Sequence, residues 1–110
     1  SSGLQMYYTP KLKPFDAGVF LVGSVQFYLP PKQQEVTVYS SCGGGCTRQI
    51  LKGPINITAA WNHMHFAGKS MQIEIKREAE HRTYLTQERT FSYDSPQVQL
   101  FTKPVEVFPG

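Results

Sequence analysis

Apolar and polar residues alternate over short runs through most of this chain, β-branched and aromatic side chains fill those runs, and Gly or Pro closes many of them. A period of two buries one face of a strand, whereas a helix needs a period near 3.6, and no long helical period occurs. Leu4, Met6 and Tyr8 alternate in the first run. Residues 19–29 read as a longer central strand, with Gly23 at a bulge or close approach and Pro30 and Pro31 ending it. A third strand lies around Val36 and Val38, and "TRQILK" makes a short helical turn before Gly53 and Pro54. Further strands are expected at 55–65, at 70–77 with Met71, Ile73 and Ile75 on one face, and at 82–87, 98–102 and 105–108. About eight short strands separated by turns predict an all-β fold, an antiparallel β-sandwich of jelly-roll type.

With 110 residues, the chain is expected to form one domain, residues 1–110. Its 40% hydrophobic and 13% aromatic content is that of a folded protein rather than a disordered one. The net charge of +3 comes from cations spread along the chain, so there is no basic block to bind nucleic acid. No apolar stretch reaches the length of a membrane span, and the first residues lack the pattern of a signal peptide.

The stretch "WNHMHFAG" places His63 and His65 one residue apart. In an extended chain the two imidazoles project from the same face and Met64 from the other. That pair either holds a metal ion or lines a half-polar surface, and imidazole by itself does not choose among zinc, copper, iron and nickel. His81 and Met71 are candidates for a third ligand. Cys42 and Cys46 flank three glycines and are disulfide candidates; a Cys2His2 zinc set is disfavoured, because His-x-His is not zinc-finger spacing. Asn56 begins "NIT", an N-glycosylation acceptor pattern that points toward the secretory pathway. Hydrolytic chemistry has no G-x-S-x-G elbow to rest on, and Glu74, Glu78, Glu80 and Glu88 read as solvated positions.

Three blocks in register, "LQMYYTPKLKPFDAGVFLVG", "SSCGGGCTRQ" and "INITAAWNHMHFAGKS", resemble the second catalytic domain of the copper type II, ascorbate-dependent monooxygenases. The shared features are Tyr7 to Thr9, Ala17 and Gly18, Cys42 and Cys46, and His63, His65 and Gly68. The resemblance implies a jelly roll, incomplete here at its C-terminal end, and a secreted or lumenal enzyme. Such an enzyme hydroxylates an activated C–H bond of a small-molecule substrate with O2, taking electrons from ascorbate. It further implies that His63 and His65 are two ligands of the oxygen-binding copper, and that the third is a downstream methionine thioether outside these residues.

The resemblance also implies that Cys42 and Cys46 pair with downstream cysteines absent from this chain, leaving them here free, joined to each other or mispaired. Peptide-amidating relatives carry an arginine where Trp61 stands, and amine-hydroxylating relatives a glutamate where Leu21 stands. Neither substrate class is thereby supported; Trp61, on the face of His63 and His65, suggests either an apolar or aromatic-lined approach or simple packing beside the site. The segment alone is expected to be inactive, with unpaired strand edges prone to self-association. The alternative is a non-catalytic jelly-roll binding or interaction module derived from the same family.

Overall fold

The computed structural model describes residues 2–77 and 82–110, which fall into two units divided between Ser41 and Cys42. In the first unit, residues 2–41, the chain forms no strand ladder. Local hydrogen bonds occur there, with Gln5 Nε2 donating to the Tyr7 hydroxyl at 2.7 Å and Ser24 Oγ donating to the Gln26 carbonyl at 3.3 Å. Leu21 and Val25 are almost fully exposed, at 94% and 97%. The strands expected at 4–8, 19–29 and around Val36 are therefore corrected: the alternation is present, but no neighbouring strand lies against it to form a ladder. The turn at Pro31 and Lys32 does form, with Lys32 in the left-handed region at φ 63°.

The second unit, residues 42–110, opens with a helix, α1 (Gly44–Ile50), and continues through β1 (Ile55–Trp61), β2 (Met71–Lys76), β3 (Arg82–Glu88) and β4 (Val98–Val107). The helix begins ahead of the expected "TRQILK" turn, drawing in two glycines that are poor helix formers. It is held locally. A disulfide joins Cys42 to Cys46, with Cα atoms 5.2 Å apart, and Thr47 N donates to the Gly43 carbonyl at 2.9 Å. Gly44 also makes room for the chain end: a Cβ there would lie 2.9 Å from the Gly110 carbonyl carbon. Arg77 donates to the carbonyls of Gly110 and Phe108, and Gly110 N donates to Thr47 Oγ1 at 2.9 Å.

The four strands form two antiparallel ladders, β1 with β4 and β2 with β3, with β1 lying against β3. Ile57 pairs with Val105 and Ala59 with Leu100, so two residues of β1 step against five of β4. Pro104 lies in that excursion and has no N–H for the ladder, which is why the two expected strands at 98–102 and 105–108 become one interrupted strand. In the other ladder, Ile73 pairs with Thr86 and Glu74 with Tyr84, leaving Leu85 as the extra residue of a bulge. Leu85 and Thr86 consequently both turn inward. Thr86 Oγ1 accepts from Ile73 N at 3.0 Å, supplying a bond at the disturbed rung.

Ile55, Ile57, Ile73, Ile75, Leu85 and Phe101 are half-buried on their strands, and Phe91 and Val107 are buried. The deepest side chains are polar: Asn62 is 1% exposed and Thr86 2%. Asn62 Nδ2 donates to the Met71 carbonyl at 3.3 Å and to Glu88 Oε2 at 3.1 Å, while its Oδ1 accepts from Thr86 Oγ1 at 2.8 Å. Buried polar groups of this kind are costly when unpaired, and here each finds a partner. Replacing Asn62 with Ala removes all three bonds and leaves buried groups unpaired, so a loss of about 3 kcal/mol is expected from chemical denaturation. A loss below about 0.5 kcal/mol, the range of an ordinary surface change, would show that the network carries no weight.

On β2, Glu74 forms an ion pair with Lys76 at 2.8 Å, and its other oxygen lies 3.9 Å from Arg82. The hydrogen bond from Lys76 holds the Glu74 carboxyl below the usual carboxylate range, and the charges of Lys76 and Arg82 act in the same direction against partial desolvation. Because the folded value is the lower one, the stabilisation is present above the ordinary carboxylate pKa and is lost as pH falls through the lowered one. Glu74→Gln is therefore expected to flatten the acid limb of the stability profile while leaving its slope near neutrality unchanged.

Candidate functional site

β1 ends at Trp61, which pairs with Val98, so His63 and His65 lie beyond the ladder rather than in the strand expected through residue 65. The side-chain period of two nevertheless persists across the next four residues. Trp61, His63 and His65 are exposed, whereas Asn62 is buried and Met64 half-buried. The outward residues form a row of rings. The Trp61 and His63 ring centroids are 5.1 Å apart and those of His63 and His65 5.3 Å apart, both edge to face. These separations are ordinary for favourable aromatic contacts.

The row ends in a turn. Gly68 N donates to the His65 carbonyl at 2.8 Å, and Phe91 N donates to the Lys69 carbonyl at 2.7 Å. Gly68 is required by the close approach of Met64, since a Cβ there would lie 2.5 Å from Met64 Cβ and 2.9 Å from its sulfur. Met64 thus packs under the turn, on the inward side of the row. Tyr93, from the loop before β4, closes the far end. Its ring lies 5.9 Å from that of His65 and 4.1 Å from that of Phe66. Gly68→Ala forces Met64 aside, with an expected cost of about 1–3 kcal/mol, the range for overpacking. Chemical denaturation measures it, and chemical shifts of the His63 and His65 rings report whether the row moves with the turn.

Of the residues singled out by sequence, Trp61, His63 and His65 come together, and Cys42 and Cys46 are joined at α1. Asn56 is exposed on β1, opposite Glu106 of β4. Met71 pairs with Glu88, and its carbonyl serves Asn62. His81 lies outside the described residues. Phe66 and Tyr93 were not foreseen. The sequence offers a signal for Asn62, a polar residue interrupting "AAWNHMHF", but none for Tyr93, which reaches His65 only through the folded loop.

Two exposed imidazoles with centroids 5.3 Å apart fit two nitrogen ligands at about 2 Å from one ion, since turning exposed rings about χ2 costs little. Among the described residues no group of three His, Cys, Asp or Glu gathers to hold a metal ion. The pair therefore offers part of a coordination shell. Among those residues, no helix is long and apolar enough to cross a membrane.

The two imidazoles stand exposed on the outward face of a chain whose described strands all pair antiparallel. Residues 15–110 match the family described as copper type II ascorbate-dependent monooxygenase, C-terminal domain, and the chain belongs to that family. Dopamine beta-hydroxylase of Equus caballus is 29% identical over 114 residues, covering all of this chain and 19% of the relative. The Homo sapiens protein of the same name is also 29% identical, with 18% of its length covered. DBH-like monooxygenase protein 1 of Gallus gallus is 27% identical over 117 residues, again across the whole chain and 19% of the relative. The chain thus spans about a fifth of the length of these relatives. No solved structure matches it.

Proposed function

We propose that residues 1–110 are part of the second copper-binding domain of a secreted copper monooxygenase, a jelly roll in the complete enzyme. His63 and His65 are two ligands of its oxygen-binding copper. The observation that carries this reading is the pair of imidazoles 5.3 Å apart on one open face, in a chain of this family. Bound copper supplies the one-electron chemistry by which O2 hydroxylates an activated C–H bond of a small molecule, with ascorbate as electron donor.

This chain's own residues hold and wall the site. His63 and His65 present nitrogen donors, Trp61 forms an apolar edge against His63, and Tyr93 and Phe66 bound the side of His65. A third donor, a thioether in this reading, suits Cu(I) and comes from beyond the described cluster. The Cys42–Cys46 disulfide and the exposed Asn56 of "NIT" fit passage through an oxidising, glycosylating compartment. Each strand has one ladder partner among the described residues, so the open edges favour self-association of the isolated chain.

The 110-residue chain is expected to bind Cu(I) weakly, measured by competition with a chromogenic chelator, and to lose that binding in the His63→Ala, His65→Ala double variant. Unchanged affinity in the double variant removes the assignment. With two imidazoles and no complete shell among the described residues, the chain alone is expected not to hydroxylate phenethylamines in the presence of copper and ascorbate. Measurable product would show that these residues suffice.

A further inference from the structure

We infer that Asn62 is a positioning residue for the His63/His65 pair, acting from inside the sheet packing on the ligands outside it. This inference rests on the copper reading of the pair. The ladder that fixes β1 stops at Trp61, so the backbone bearing both histidines leaves the sheet without a strand partner. The Asn62 side chain supplies the anchor at that point. Its Nδ2 bonds to the Met71 carbonyl and to Glu88, which face each other on one rung of the β2–β3 ladder. Its Oδ1 is held by Thr86, which pairs with Ile73 and accepts from Ile73 N. Three bonds to two strands fix where Asn62 sits, and His63 is the next residue. The turn bond from Gly68 N to the His65 carbonyl fixes the other end.

The chemistry of the position is specific to an asparagine. Two donors and an acceptor are used at a site 1% exposed. An aspartate lacks the donors and brings a second carboxylate beside Glu88; a leucine leaves the Thr86 hydroxyl and the Met71 carbonyl without this partner. Residues behind a metal ligand commonly tune affinity by about 10–100-fold when they fix ligand orientation. Asn62 does this through the backbone rather than through a ring nitrogen.

The test uses the whole 110-residue chain with Cu(I), and a first measurement needs no variant. Coupling is reciprocal: if the network favours the ligand geometry, Cu(I) binding must strengthen the network. The Asn62 side-chain amide protons, read by NMR hydrogen exchange, are therefore expected to become about tenfold or more better protected when Cu(I) is added. Unchanged protection overturns the inference.

Variants give a second measurement. Asn62→Leu and Thr86→Val are expected to lower Cu(I) affinity about tenfold or more and to split the electron spin resonance signal of the Cu(II)-loaded chain into several species. Thr86→Ser, which keeps the hydroxyl, is expected to behave as the parent. Folded variants with lower melting temperatures but parental affinity and spectrum reduce Asn62 to a structural role and overturn the inference. Failure of the copper reading looks different, since the parent chain then shows no binding that depends on His63 and His65.

Discussion

The second unit depends on one requirement: Asn62, buried between two ladders, must keep its three hydrogen bonds. Neither ladder has more than two strands, and a two-stranded ladder alone is marginal in water. Stability must come from packing one pair on the other, yet the enclosed core is thin, with only Phe91 and Val107 buried among the apolar residues described. A polar link in such a core selects register as well as adding energy. A one-residue slip of β3 would turn Thr86 outward, strand Asn62 Oδ1 and move Glu88 away from Nδ2. The leucine or isoleucine that a thin core would otherwise welcome carries no such penalty for a wrong pairing.

The bulge at Leu85 belongs to the same arrangement. By placing Leu85 and Thr86 inward together, it supplies one residue to the apolar layer and one to the polar network from consecutive positions. Thr86 then serves two partners, accepting from Ile73 N within its own sheet and donating to Asn62 just beyond the end of β1. The long excursion of β4 has a different cause. Pro104 cannot donate, so the ladder breaks around it and resumes at Val105, which returns Val107 to a buried position opposite Ile55.

The ladders of the second unit were legible because alternation there coincides with real partners: Met71, Ile73 and Ile75 face inward as their spacing requires, and Ile55 and Ile57 do the same. Alternation was equally clear at Leu4, Met6 and Tyr8, yet no ladder forms there. A sequence period says that a segment has a face to bury; it does not say against what, because strand identity is a relation to a neighbour. The end of β1 was misjudged for a related reason. Nothing in "WNHMHF" marks where Val98 runs out as the last partner, but the side-chain period survives the loss of hydrogen bonds, and the two histidines share a face as expected. Tyr93 was beyond reach, since its place beside His65 is set by the loop that Phe91 ties to Lys69.

The alternation across residues 61–65 separates two tasks within five residues. Asn62 and Met64 face inward and are fixed by hydrogen bonds and by the close approach of Gly68; Trp61, His63 and His65 face outward and remain exposed. An exposed pair of imidazoles is open to whatever approaches from solvent, but exposure alone leaves its rings without fixed geometry. Edge-to-face contacts along the outward row restrain the rings only weakly, each being worth about 1 kcal/mol. Order in the outward row must therefore be imported from the inward one through the shared backbone. On the proposed copper reading, that dependence accounts for an amide with no metal-binding chemistry of its own beside the histidines, at the most deeply buried of the described positions.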